Sequence, residues 1–120
     1  MLALSLALAF LLLWIGAGPA FSADQGDAKA GKIKYGQLCV GCHGATGKGD
    51  GPAAAALNPK PRDYTQCEEM AKESDSDLMK VIKEGGQGTG RSPLMPAWGG
   101  ALKDSDVLNL VAYIRSFCKK

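Results

Sequence analysis

Neither sign of charge dominates this sequence. Lys and Arg total 14 against 12 Asp and Glu, a net charge of +2. That balance excludes a strongly basic nucleic-acid binder and a long acidic tail. No segment alternates apolar and polar residues as a half-buried strand does, and no internal repeat is present. There is one histidine in 120 residues. Large apolar side chains are also scarce beyond residue 22, where the aromatics are Tyr35, Tyr64, Trp98, Tyr113 and Phe117. The overall apolar fraction of 46% excludes disorder throughout. Yet a domain of about 98 residues buries only ~60–65% of its unfolded surface. One so rich in glycine is under-filled, and disulfides, a metal or a cofactor are expected to complete its centre.

Charge is absent from the first 23 residues. An apolar run to Ile15 is followed by the breakers Gly16, Gly18 and Pro19 and by small residues ending at Ala23. This order is that of a secretory leader, with Ala20 and Ser22 suited to cleavage after Ser22. No Lys or Arg precedes the apolar core, so the alternative is retention as a membrane anchor. The expected organisation is a leader at 1–22 and one domain at 23–120, outside the cytoplasm in either case.

Three helices are predicted in that domain. Asp27 caps the first, with Ala30, Ile33 and Leu38 near helical spacing and lysines opposite. Gly31 and Gly36 lie within it, which suggests close approach by another backbone or a ligand. The second starts at Ser74 or Ser76, turns Leu78, Val81 and Ile82 inward and stops at Gly85–Gly86. The third, 104–118, carries Val107, Leu110, Val111, Ile114 and Phe117 on one stripe. Between them run long irregular stretches rich in glycine and proline, which make sense if they wrap a rigid guest.

Residues 39–43 read CVGCH. C-x-x-C-H is the attachment pattern of c-type haem. Two thiols add across two vinyl groups on one porphyrin edge, and an imidazole directly after the second Cys lies beneath the iron. Structural zinc calls for four ligands and a second knuckle, and a thioredoxin-like pair calls for a βαβ pattern; neither is present in the sequence. Cys39, Cys42 and His43 are therefore the expected haem-binding residues.

GKIKY at 31–35, CVGCHG at 39–44, GKGDGP at 47–52, SPLMPAWGG at 92–100 and LVAYIRSF at 110–117 together resemble the bacterial mono-haem class I cytochromes c. The resemblance spans the whole chain beyond the leader. It implies an all-α cytochrome c fold of three to four helices, with long loops around one covalent haem c. It implies that Gly31 permits the first and last helices to cross and that Tyr113 packs beside it. Met95, in Leu94-Met95-Pro96, matches the axial methionine; Met79 reads as core and Met70 as a surface or gap-filling residue. The resemblance further implies that His43 donates to the carbonyl of Pro52. Arg62 and Trp98 stand as candidates for the haem propionates, an unpaired surface Arg62 being the other reading, and Tyr64 fits either task. Cys67 and Cys118 are left over; in an oxidising compartment they suggest a disulfide, with two free thiols or an intermolecular link as alternatives.

His/Met ligation leaves no open iron position, so the expectation is a non-enzymatic one-electron carrier in the periplasm. Its partners would be donor and acceptor redox proteins, with no nucleic acid, no small-molecule substrate, and membrane association only through a retained leader. A haem subunit of a membrane oxidase, dehydrogenase or reductase is the alternative, and a gas sensor a further one. Lys32, Lys34, Lys48 and Lys60 read either as a ring steering an acidic partner or as a solvated face.

Overall fold

A computed structural model describes residues 25–119; the leader expected at 1–22 lies outside the described residues. Among these residues there are five α-helices and no strand: α1 (Ala28–Leu38), α2 (Val40–His43), α3 (Cys67–Met70), α4 (Asp75–Glu84) and α5 (Asp104–Ser116). Single 3-10 turns occur at Ala54–Ala56 and Gln87–Thr89. No described helix is long and apolar enough to cross a membrane.

The helix ends obey local chemistry. Asp27 accepts from the Lys29 amide at 2.8 Å and caps α1. Ser74 accepts from the Asp77 amide at 3.0 Å while Asp77 accepts from the Ser74 amide at 3.2 Å, a reciprocal box that starts α4. Gly85, at φ 76°, ends it.

The core gathers Tyr35, Tyr64, Met70, Leu78, Ile82, Leu102, Val107, Leu110, Val111 and Ile114. The α5 stripe and the inward face of α4 are as predicted, except that Val81 and Phe117 are only half-buried, Phe117 lying just past the end of α5. One expectation fails: Ile33 is 66% exposed, because α1 buries Gly31 and Tyr35 instead. Of the two readings of Met70 the surface one is excluded and the gap-filling one fits, since the turn α3 folds it inward to 2% exposure.

Gly31 explains the choice of buried face on α1. A Cβ there would meet the Asn109 carbonyl oxygen at 1.9 Å, so α1 and α5 touch backbone to backbone. The Asp27 amide donates to Asn109 Oδ1 at 2.7 Å in the same contact. The Tyr35 and Tyr113 rings meet edge-on beside it, 5.1 Å apart. Gly36 meets nothing within 4 Å, contrary to the close approach expected of it. Gly31→Ala is thus expected to destabilise by ~2–4 kcal/mol, since backbone cannot yield as a side chain can. Gly36→Ala, in the same helix but in open space, is expected to stabilise by ~0.5–1 kcal/mol. Paired denaturant titrations check both signs; two equal effects would refute the crossing as the cause.

Cys67 and Cys118 form a disulfide with Cα atoms 5.4 Å apart and a sequence separation of 51. It ties α3 to the chain just beyond α5. On the chain-entropy account a closed loop of this size contributes about 4 kcal/mol.

Candidate haem site

The C-x-x-C-H residues occupy one tight turn. α1 ends at Leu38, Cys39 bridges, and α2 starts at once. The Cys42 and His43 amides both point to the Cys39 carbonyl, at 3.3 and 2.9 Å. Spacings of three and four place Cys42 and His43 on the same side of the turn as Cys39.

A short helix leaves its carbonyls unpaired at the C-terminal end. Here the glycine-rich segment after it returns and supplies the donors. The amides of Gly49, Gly51 and Ala53 donate to the carbonyls of His43, Cys42 and Gly41 at 2.8, 3.0 and 2.9 Å. A Cβ on Gly51 would lie 2.4 Å from the Gly41 oxygen, which is why glycine stands there. Tyr35, buried in α1, donates its hydroxyl to the Gly44 carbonyl at 2.7 Å. The turn is therefore held from both sides by backbone and by the core.

His43 is 8% exposed. The Tyr64 ring stacks on it at 4.7 Å and 14°. His43 Nδ1 faces the Arg62 carbonyl at 3.3 Å, and Nε2 faces the Tyr64 hydroxyl at 3.3 Å. The carbonyl expected from Pro52 is not the partner. Pro52 is exposed on the segment that caps α2. The chain near 62 is drawn in instead by the Tyr64 amide donating to the Gly47 carbonyl at 2.7 Å.

A carbonyl only accepts, so Nδ1 carries the proton and Nε2 keeps a lone pair, toward which the phenol donates. Burial lowers the His43 pKa, with the Arg62 carbonyl partly opposing, so the ring is neutral near pH 7. Burial pushes the Tyr64 phenol far up, and it stays a donor. Burial, aided by neighbouring Cys42, pushes the Cys39 thiol up to about 11. Cys39 and Cys42 are both free and half-buried.

This donor set fits a c-type haem. Two adjacent, unpaired S–H groups suit addition across two vinyl groups, which consumes sulfur and proton together. A neutral imidazole whose Nε2 keeps its lone pair suits an iron ligand once the Tyr64 hydroxyl gives way there.

Met95 and Trp98 are carried by a second segment, which is fastened to the end of α4. The Gly86 amide donates to the Met95 carbonyl at 3.1 Å, and the Trp98 amide to the Ile82 carbonyl at 2.9 Å. Met95 is half-buried; Trp98 packs on the core. Arg62 is not an unpaired surface cation: its guanidinium is ion-paired with Glu73. Lys32, Lys48 and Lys60 are exposed and Lys34 is half-buried. Two contributors had no signal in the sequence. Neither the carbonyl of Arg62 nor the carboxylate of Glu73 belongs to a spacing pattern.

Residues 26–114 match the family described as cytochrome c oxidase, cbb3-type, subunit III. The chain belongs to the c-type cytochromes. The cytochrome is 31% identical over 91 residues to cytochrome c-554(548) of Halomonas halodenitrificans, covering 76% of this chain and 96% of that one. It is 28% identical to the cbb3-type cytochrome c oxidase subunit CcoP of an Azospirillum species; the match covers 79% of this chain and only 30% of that subunit. The solved KustC0563 c-type cytochrome shares its fold with a TM-score of 0.58 and 30% identity, covering 74% of this chain and 98% of that one. The fold is the all-α cytochrome c fold, the cofactor is covalently bound haem c, and the function is electron transfer.

Proposed function

We propose that this cytochrome is a one-electron carrier of the periplasm, passing electrons between respiratory redox proteins, and not itself an enzyme. Cys39 and Cys42 would provide the thioether links, and His43 and Met95 would hold the iron. Bound there, the haem iron supplies a one-electron couple. The observation that carries the reading is the α2 turn, which presents two thiols and a neutral imidazole on one side.

The protein's own groups explain how such a site would work. The Arg62 carbonyl fixes the His43 ring and leaves Nε2 as the donor atom. The capped α2 carbonyls keep the turn rigid, so little needs to rearrange when charge changes. A thioether is a soft donor and favours the ferrous state, raising the potential. With both His43 and Met95 on the iron, no position would remain for substrate, hence a carrier.

A second reading is a haem subunit of a membrane oxidase. The matched family description and the CcoP relative favour it. Solubilised membranes from the native host decide between them: release of the cytochrome on a mild salt wash supports the carrier, and co-migration with an oxidase supports the subunit.

Carbon monoxide tests the closed site. Ferrous cytochrome at neutral pH is expected to show no carbon-monoxide spectrum on mixing. A rapid spectral shift would refute two firm axial ligands and turn the reading toward gas binding.

A further inference from the structure

One carboxylate ties together the two loops that bear on the site. Glu73 lies at the elbow between α3 and α4, with a side chain only 13% exposed. Arg62 donates to its Oε1. Arg91 donates through Nη2 to Oε1 at 3.0 Å and to Oε2 at 2.9 Å. Arg62 belongs to the loop whose carbonyl faces His43 Nδ1. Arg91 belongs to the segment that carries Met95, and its amide donates to the Gly86 carbonyl at 2.8 Å. Gly86 in turn donates to the Met95 carbonyl.

The elbow is itself anchored in the core. Arg115 of α5 reaches across to donate to the Met70 carbonyl at 2.7 Å, to the Glu73 carbonyl, and to Asp75 at 2.7 Å. Glu73 is thus a fixed post on the helical scaffold, and both loops are moored to it.

We propose that Glu73 is a positioning residue for Met95, holding the methionine segment in register with the loop beside His43. This rests on the His43/Met95 reading above. An isolated surface ion pair contributes little. This carboxylate is mostly covered and is shared by two guanidinium groups. Without it, two like charges face each other in a partly buried setting, and their repulsion separates the loops. The weakest link gives first, which is the bond from a soft thioether to ferric iron.

The test uses the holoprotein and ferric spectra, with imidazole as competitor for the Met95 position. The far-red sulfur-to-iron band of the unmodified cytochrome is read first. Its absence would remove the Met95 ligand and this inference with it. With the band present, E73Q is expected to bind imidazole about tenfold more tightly, and R91Q nearly as much. D75N, which breaks the exposed Arg115 pair at the same elbow but touches neither loop, is expected to stay within about twofold. If E73Q yields no holoprotein, R91Q decides alone. Unchanged imidazole affinity in E73Q and R91Q would overturn the inference and leave the Met95 ligand standing. An equal rise in D75N would also overturn it, showing general loosening instead of positioning.

Discussion

Met95→Ala is expected to abolish the far-red sulfur-to-iron band and to lower the reduction potential by on the order of 0.2 V, a fraction of the roughly 0.8 V that axial ligands span. The variant should also bind carbon monoxide and imidazole readily. The thioether is the soft partner in the proposed pair, so its removal withdraws the preference for ferrous iron. No other described methionine stands in easily. Met70 is 2% exposed within the core, and Met79 sits on α4 against it. Either would have to leave well-packed surroundings, whereas Met95 is half-buried on an irregular segment. Spectra and potentiometry on the same preparation check the result. A far-red band that survives in the alanine variant would take Met95 out of the site.

The parts of the molecule governed by local rules were legible from residue order. The caps at Asp27 and Ser74 and the α5 stripe follow from short-range chemistry, and the structure has them where expected. Cys39, Cys42 and His43 were legible because their spacing is also their geometry: three and four positions along a turn place them together. Gly31 was legible as a close approach from its place inside a helix and as a crossing point from the resemblance, and the Asn109 contact supplies the physical cause.

What escaped has no period. Tyr64 lies 21 residues from His43, yet its ring covers the imidazole. The choice of Arg62 over Pro52 as carbonyl partner depends on one long-range amide, Tyr64 to Gly47. Ile33 misled because apolar spacing suggests a buried face, whereas a backbone-to-backbone crossing buries the smallest residue instead. Glu73 was invisible for a similar reason, since a lone acid in a charged stretch reads as solvated until two arginines converge on it.

The largest effect is expected from the paired replacement Cys39→Ser and Cys42→Ser. Exported from a cell able to mature such cytochromes, this variant should be colourless and carry no added prosthetic mass. It should also fold poorly. Among the described residues the buried core comprises ten side chains, with Tyr35, Met70, Val107 and Leu110 the most completely sealed from solvent. A domain this small with so few sealed side chains sits near the limit of what a protein core alone can stabilise. The haem is expected to supply the missing apolar volume, so far-ultraviolet circular dichroism should show reduced helix and a broadened melt. Single replacements separate attachment from folding: with one thiol left, one thioether can still form, and the product should keep its colour and haem mass. Replacing Cys67 and Cys118 instead should leave haem mass unchanged while lowering stability by about 4 kcal/mol, because that pair only closes a loop. Intact mass spectrometry distinguishes these outcomes. Full haem mass on the chain lacking Cys39 and Cys42 would show that the two sulfurs of the α2 turn are not the points of attachment.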